Sequence, residues 1–137
     1  MTFQTDPRLL AQSIPVMSLS LSDVRLMDDA RFPWLVLIPR VAEASELDDL
    51  DAGRRAVLMT EIVAAGAWVR TMGEALGRPV DKVNTAALGN VTAQLHVHVV
   101  GRRRDDPLWP DPIWGRGGGA PWPEGELARL AGLIASS

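Results

Sequence analysis

The period of hydrophobic and polar positions changes several times along this chain, and each change marks an expected element. Asp6-Pro7 is a helix start: an aspartate cap with proline at the first helical position. A short helix through about Ser13 follows, with Leu9 and Leu10 inward, and Ile14-Pro15 ends it. From Val16 the period is two. Met17, Leu19 and Leu21 alternate with Ser18, Ser20 and Ser22, and Val24 and Leu26 continue on even positions. The phase change at Ser22-Asp23 implies a bulge or turn. Asp28 to Arg31 is a polar turn, and Trp34 to Ile38 is a continuous apolar run that predicts a strand covered on both faces, stopped by Pro39. Together these strands predict an antiparallel meander.

The period then becomes helical. Asp48 or Asp51 opens a long helix on which Leu58, Ile62, Ala65, Val69, Met72 and Leu76 form an apolar stripe. Arg54, Arg55, Glu61, Arg70 and Glu74 fall off the stripe, and Gly77 is placed as the C-terminal cap. The stripe serves the core or a dimer face. Val80 to Leu88 reads as another strand, with Asn84 inside it. Asparagine is disfavoured there, so its side chain needs a partner: a phosphate or sugar, or the backbone of a neighbouring loop. Pro123 to Ile134 predicts a terminal helix with Leu127, Leu130 and Ile134 inward.

Between these lies Gln94-Leu95-His96-Val97-His98-Val99-Val100-Gly101-Arg102, which holds both histidines of the chain. Strand alternation puts Leu95, Val97 and Val99 on one side and Gln94, His96 and His98 on the other. Residues two apart on a strand are about 6.5–7 Å apart with parallel side chains. Asn90 and Thr92 share the phase and extend the polar row. Gly101 is expected to break the strand, and Arg102, Arg103 and Arg104 add positive charge beyond it. Three readings compete. The histidines decorate a solvent face; or they begin a metal site, for which only carboxylates such as Asp105 and Asp106 remain as further ligands; or they perform phosphate chemistry. In the third, one imidazole with a free ring nitrogen is a nucleophile and the other hydrogen-bonds a phosphate oxygen or protonates a leaving group.

Composition narrows the classes. A chain of 137 residues with 47% apolar content is expected to form one domain with a real core. A net charge of −3 argues against coating nucleic acid. With no cysteine there is no disulfide framework. Neither a signal-peptide pattern nor an apolar run of membrane-spanning length is visible, so a cytoplasmic protein without a membrane partner is expected. Residues 105–123 carry five prolines, three tryptophans and four glycines. This composition predicts a rigid strap over the sheet, anchored by Trp109, Trp114 and Trp122. The tryptophans either pack structurally or stack near a nucleotide base. Gly117-Gly118-Gly119 lacks the preceding strand and following lysine of a phosphate loop.

The stretch Gly89 to Gly101 resembles the signature of the histidine triad family of nucleotide hydrolases and transferases, His-φ-His-φ-His-φ-φ with φ apolar. Leu26 to Arg40 is similar to that family's hairpin ending in Gly-His-x-Leu-Val-Ile-Pro-Lys, so the likeness spans roughly residues 16–103. Gln94 stands in place of the first histidine, Pro33-Trp34 in place of Gly-His, and Val91 in place of a common phosphate-binding serine.

The run of strands with one inserted helix predicts an α+β fold: a five-stranded antiparallel sheet, one long helix on a face, and short terminal helices. The resemblance implies a homodimer in which two sheets merge. It also implies a small-molecule nucleotide substrate, attacked at its α-phosphate by His96 to give a nucleotidyl-histidine. His98, Asn90, the amide near Thr92 and Asn84 are the candidate donors to the phosphate oxygens, with no cofactor or metal. Gln94 cannot exchange a proton at neutral pH. It is expected to make this a slow or specialised member, and Gln94→His to raise turnover at about pH 6–7. The alternative is a nucleotide-binding or sensing protein with little turnover.

Overall fold

The computed structural model describes residues 2–137. Five strands form one antiparallel sheet: β1 Ser13–Ser18, β2 Ser22–Met27, β3 Trp34–Pro39, β4 Lys82–Ala86 and β5 Val97–Arg102, in the order β1-β2-β3-β5-β4. The helices are α1 Pro7–Gln12, α2 Ala52–Ala75 and α3 Glu126–Ala135. The α+β architecture expected from the sequence is the one present, with boundaries that differ in instructive ways.

Helix α1 is capped by Asp6, whose Oδ1 accepts the Arg8 N–H at 2.8 Å. The chain enters β1 immediately, so Pro15 lies inside a strand rather than ending a helix. Proline is tolerated there because β1 is an edge strand, and the register slips between Pro15 and Met17. At Ser22 the phase change is a turn, closed by the Leu19 N–H donating to the Ser22 carbonyl.

Of the two candidate caps for α2, Asp51 is used; its Oδ1 accepts the Arg54 N–H. Asp48 lies in a short 3-10 turn before it. Glu61, placed off the apolar stripe by its charge, is in fact buried at 6% exposure. Its two carboxylate oxygens accept the N–H groups of Leu21 and Ser22 at 2.9 and 3.0 Å, satisfying donors that the turn leaves without strand partners.

Register decides what each sheet face carries. Leu35 and Leu37 of β3, Val24 and Leu26 of β2 and Val99 of β5 face α2 and α3, where Ala65, Val69, Met72, Leu130 and Ile134 complete the main core. The opposite face shows Trp34, Val36, Ile38, His98 and Val100. It is covered by Leu9 of α1 with Phe3, and by Phe32, Leu108, Ile113 and Trp114. Gly101 does not break β5; it pairs with Val83 inside it. A Cβ there would lie 2.6 Å from Val80 and 2.7 Å from Pro33, so glycine lets these residues close over the strand. Among the described residues no helix is long and apolar enough to cross a membrane.

Candidate active site

Strand β5 begins at Val97, three residues later than alternation alone suggests. On β3 the residue opposite Leu95 would be Pro39, which has no N–H for the ladder; the Leu95 N–H instead reaches the Ala44 carbonyl. The stretch before β5 is therefore irregular, and Asn90, Thr92 and Gln94 do not continue a strand row. Asn90 is exposed at the rim of a cleft, and Thr92 is buried in its wall.

The two histidines stay together. Their ring centroids are 4.9 Å apart with planes at 80°, and exposures are 6% for His96 and 7% for His98. Nδ1 of His96 lies 2.7 Å from the Gln94 carbonyl oxygen. A carbonyl only accepts, so Nδ1 carries the proton and neutral His96 has its lone pair on Nε2. His98 is set the other way. The Trp34 indole N–H, which can only donate, reaches His98 Nδ1 at 3.0 Å. Neutral His98 therefore carries its proton on Nε2. Burial, with a lesser contribution from His96, lowers the His98 pKa to about 4. A hydrogen bond donated to the neutral ring acts in the same direction. The neutral rings thus have opposite tautomers: His96 offers a nucleophilic nitrogen, and His98, held uncharged by burial, offers an N–H donor.

A cleft of about 570 Å³ opens over the pair. Leu9, Met27, Trp34 and Trp114 supply its apolar wall, and Arg8, Gln12, Asn90 and Thr92 are polar residues along it. Trp114 packs against His98, ring centroids 5.6 Å apart. A second cleft, of about 380 Å³, is lined by Glu46, Asp48 and Gly89 among others. His96 borders both clefts.

Several expected contacts fall elsewhere. Asn84 shares the histidine face, since it pairs with Val100, but its Oδ1 accepts from Arg102 at 3.1 Å. Arg102 is not free positive charge beyond the strand. It is 1% exposed, bidentate to Asp106 at 2.8 and 3.0 Å, and lies between the rings of Phe32 and Trp109. Arg103 pairs with Asp105. The carboxylates considered as metal ligands are thus engaged by arginines, and no cluster of three potential ligands forms among the described residues. The three strap tryptophans separate: Trp114 at His98, Trp109 on Arg102, and Trp122 in the core under α3. Gln94 hydrogen-bonds neither ring with its amide; only its carbonyl holds His96.

Trp34, Met27 and the α1 residues were not legible as site residues from pattern alone. The available signal for Trp34 was its place in the hairpin where Gly-His is usual. Its orientation toward His98 needs the β3–β5 register, in which Trp34 opposes Val100.

The model of the HIT domain family matches residues 11–105. Among solved structures, the chain is similar to a histidine triad protein from Sinorhizobium meliloti at 42% identity and TM-score 0.89, covering 98% of this chain and 96% of that one. It is similar to a histidine triad protein from Bradyrhizobium japonicum at 35% identity and TM-score 0.91, covering 99% and 98%. A third, from Marinobacter aquaeolei, matches at 36% identity and TM-score 0.87, covering 98% and 94%. No curated protein matches.

Proposed function

This chain belongs to the histidine triad family, and on that premise we propose that it is a nucleotide hydrolase or transferase acting at the α-phosphate of a nucleotide ester, anhydride or phosphoramidate. The observation that carries the proposal is the opposed pair of tautomers. The Nε2 lone pair of His96 attacks the α-phosphorus. The bond to the leaving group breaks, and the leaving group departs with the electron pair and takes a proton from solvent. Water then attacks the nucleotidyl-histidine and gives up a proton to solvent, the phosphorus–nitrogen bond breaks back to Nε2, and the nucleoside monophosphate is released. His98 contributes a neutral N–H donor to the phosphate oxygens or the leaving group through both steps. Trp34, Trp114, Leu9 and Met27 offer apolar surface for the nucleoside. Thr92 and Asn90 border the same space and are proposed as phosphate or ribose contacts. Asn84 is not carried into this reading, because its oxygen serves Arg102.

Hydrolysis of a nucleoside phosphoramidate tests the reading: wild-type protein releases the nucleoside monophosphate, and His96→Ala does not. A variant that keeps more than a few per cent of the rate removes His96 from the nucleophile's role. One observation favours the second reading, a binding or sensing protein with little turnover. Arg102 and Arg103 are engaged by carboxylates, leaving Arg8 as the one Lys or Arg residue among those that border the cleft. Tight nucleotide binding without release of product identifies that case.

We also propose a homodimer through α2 and the free edge of β4. Met59 and Val63 of α2 are 60% and 66% exposed, and β4 is an edge strand. A monomeric mass by light scattering at micromolar concentration contradicts it.

A further inference from the structure

Gln94 occupies the first position of the histidine row, yet both ends of its side-chain amide are spent on the N-terminal segment. Oε1 accepts the Asp6 N–H at 2.9 Å, and Nε2 donates to the Gln4 carbonyl at 2.8 Å. Asp6 is the residue that caps α1. A helix of six residues does not persist alone in water, so contacts with the rest of the protein must hold it. Those contacts include the burial of Leu9 with Phe3 against Met27, Val36 and Ile38, the Asp28 N–H donating to the Gln12 carbonyl at 2.9 Å, and the Gln94 amide. Arg8, Leu9 and Gln12 in turn form one wall of the larger cleft.

We propose that Gln94 is a positioning residue that clips the N-terminal segment onto the histidine stretch and so builds the wall of the cleft carrying Arg8, Leu9 and Gln12. It acts on substrate binding, and only weakly on the chemical step. The division follows from which atoms do what. The side chain of Gln94 holds the segment, whereas its main-chain carbonyl holds the His96 Nδ1 proton. Removing the side chain frees the first and keeps the second. Glutamine suits the position because one donor and one acceptor are needed side by side. A carboxylate keeps the acceptor for Asp6 but sets a second oxygen against the Gln4 carbonyl. The inference rests on the cleft being the nucleotide site, and its test separates the two claims.

Gln94→Ala and Gln94→Glu are compared with wild type in the full chain by two measurements. The first is amide hydrogen exchange followed by mass spectrometry. Peptides covering residues 3–12 should exchange at least about tenfold faster in both variants, as expected when Gln94→Ala loses two hydrogen bonds of ordinary strength and Gln94→Glu loses one and sets a carboxylate oxygen against the Gln4 carbonyl. Peptides covering β5 should be unchanged, which certifies the fold. The second is steady-state hydrolysis of a nucleoside phosphoramidate. KM should rise about tenfold while kcat changes less than about threefold. Unchanged exchange at residues 3–12 overturns the clip whatever the kinetics. Faster exchange with a hundredfold loss of kcat at constant KM also overturns it, since Gln94 then serves the chemistry. If wild type hydrolyses nothing, the enzymatic reading fails separately. The clip is then decided by exchange and by the affinity for a nucleoside monophosphate, which must weaken about tenfold in both variants for the proposal to stand.

Discussion

Trp34→Phe isolates the hydrogen bond that sets the His98 tautomer. Phenylalanine keeps an aromatic ring between β3 and the cleft but has no N–H to give Nδ1, which is now reached at 3.0 Å. In the wild type, His98 is neutral down to about pH 4 against an ordinary value near 6.5. That difference corresponds to about 3 kcal/mol in favour of the uncharged ring, at about 1.36 kcal/mol per pH unit. Burial and His96 supply the causes that remain in the variant. The lost bond is worth about 0.5–1.5 kcal/mol, so the His98 midpoint should rise by about half to one pH unit. Without the indole, both nitrogens compete for the proton, and the fraction with the proton on Nε2 falls. Turnover of a phosphoramidate should drop about two- to tenfold if that proton supports the transferring phosphate. Nitrogen-15 NMR of the imidazole rings from about pH 3.5 to 8 reads tautomer and midpoint together. The reasoning is refuted if wild-type His98 carries its proton on Nδ1, if it titrates near 6.5, or if Trp34→Phe leaves tautomer and rate unaltered.

Asp106→Ala strips a buried guanidinium of its bidentate partner and removes the acceptor for the Leu108 and Trp109 N–H groups; a loss of about 3–5 kcal/mol in urea unfolding is expected, and less than about 1 contradicts the burial of the pair. Glu61→Ala leaves the Leu21 and Ser22 donors unmet, costing about 1–3 kcal/mol for each, and Glu61→Gln should recover part of the loss by restoring one acceptor. His98 also makes stability depend on pH. Its folded pKa lies below the unfolded one, so the unfolded chain binds more protons between about pH 6.5 and 4; stability is full above that window and falls within it, and His98→Gln should flatten that part of the profile.

The sheet and the long helix were readable because burial writes a period into the sequence. Val24 and Leu26 show the strand period, the continuous run Trp34 to Ile38 a strand covered on both faces, and Leu58, Ala65, Val69 and Met72 the helical period. What escaped is what depends on pairing between distant segments. Glu61 looked like a solvated charge until the N–H groups of a turn forty residues earlier were placed against it. Arg102 looked like free positive charge until Asp106 and the rings of Phe32 and Trp109 closed on it. The polar row through Asn90 and Thr92 assumed a strand, but Pro39 leaves residues 94–96 without a ladder. The histidine pair itself was legible, whereas its opposed tautomers were not. They depend on a main-chain carbonyl at Gln94 and an indole sixty-four residues from His98.

Covalent nucleotidylation of His96 is the event that the proposed mechanism requires and that a trapping experiment reads directly. Wild-type protein would be mixed with a nucleoside phosphoramidate, quenched within the first turnovers at a pH that preserves phosphorus–nitrogen bonds, and digested for mass spectrometry. The account predicts one nucleotidyl group on the peptide containing His96, fragmentation placing it on that ring, and none in His96→Ala. Product release in wild type with no adduct under conditions that retain a synthetic phosphohistidine standard, or an adduct on His98, contradicts it.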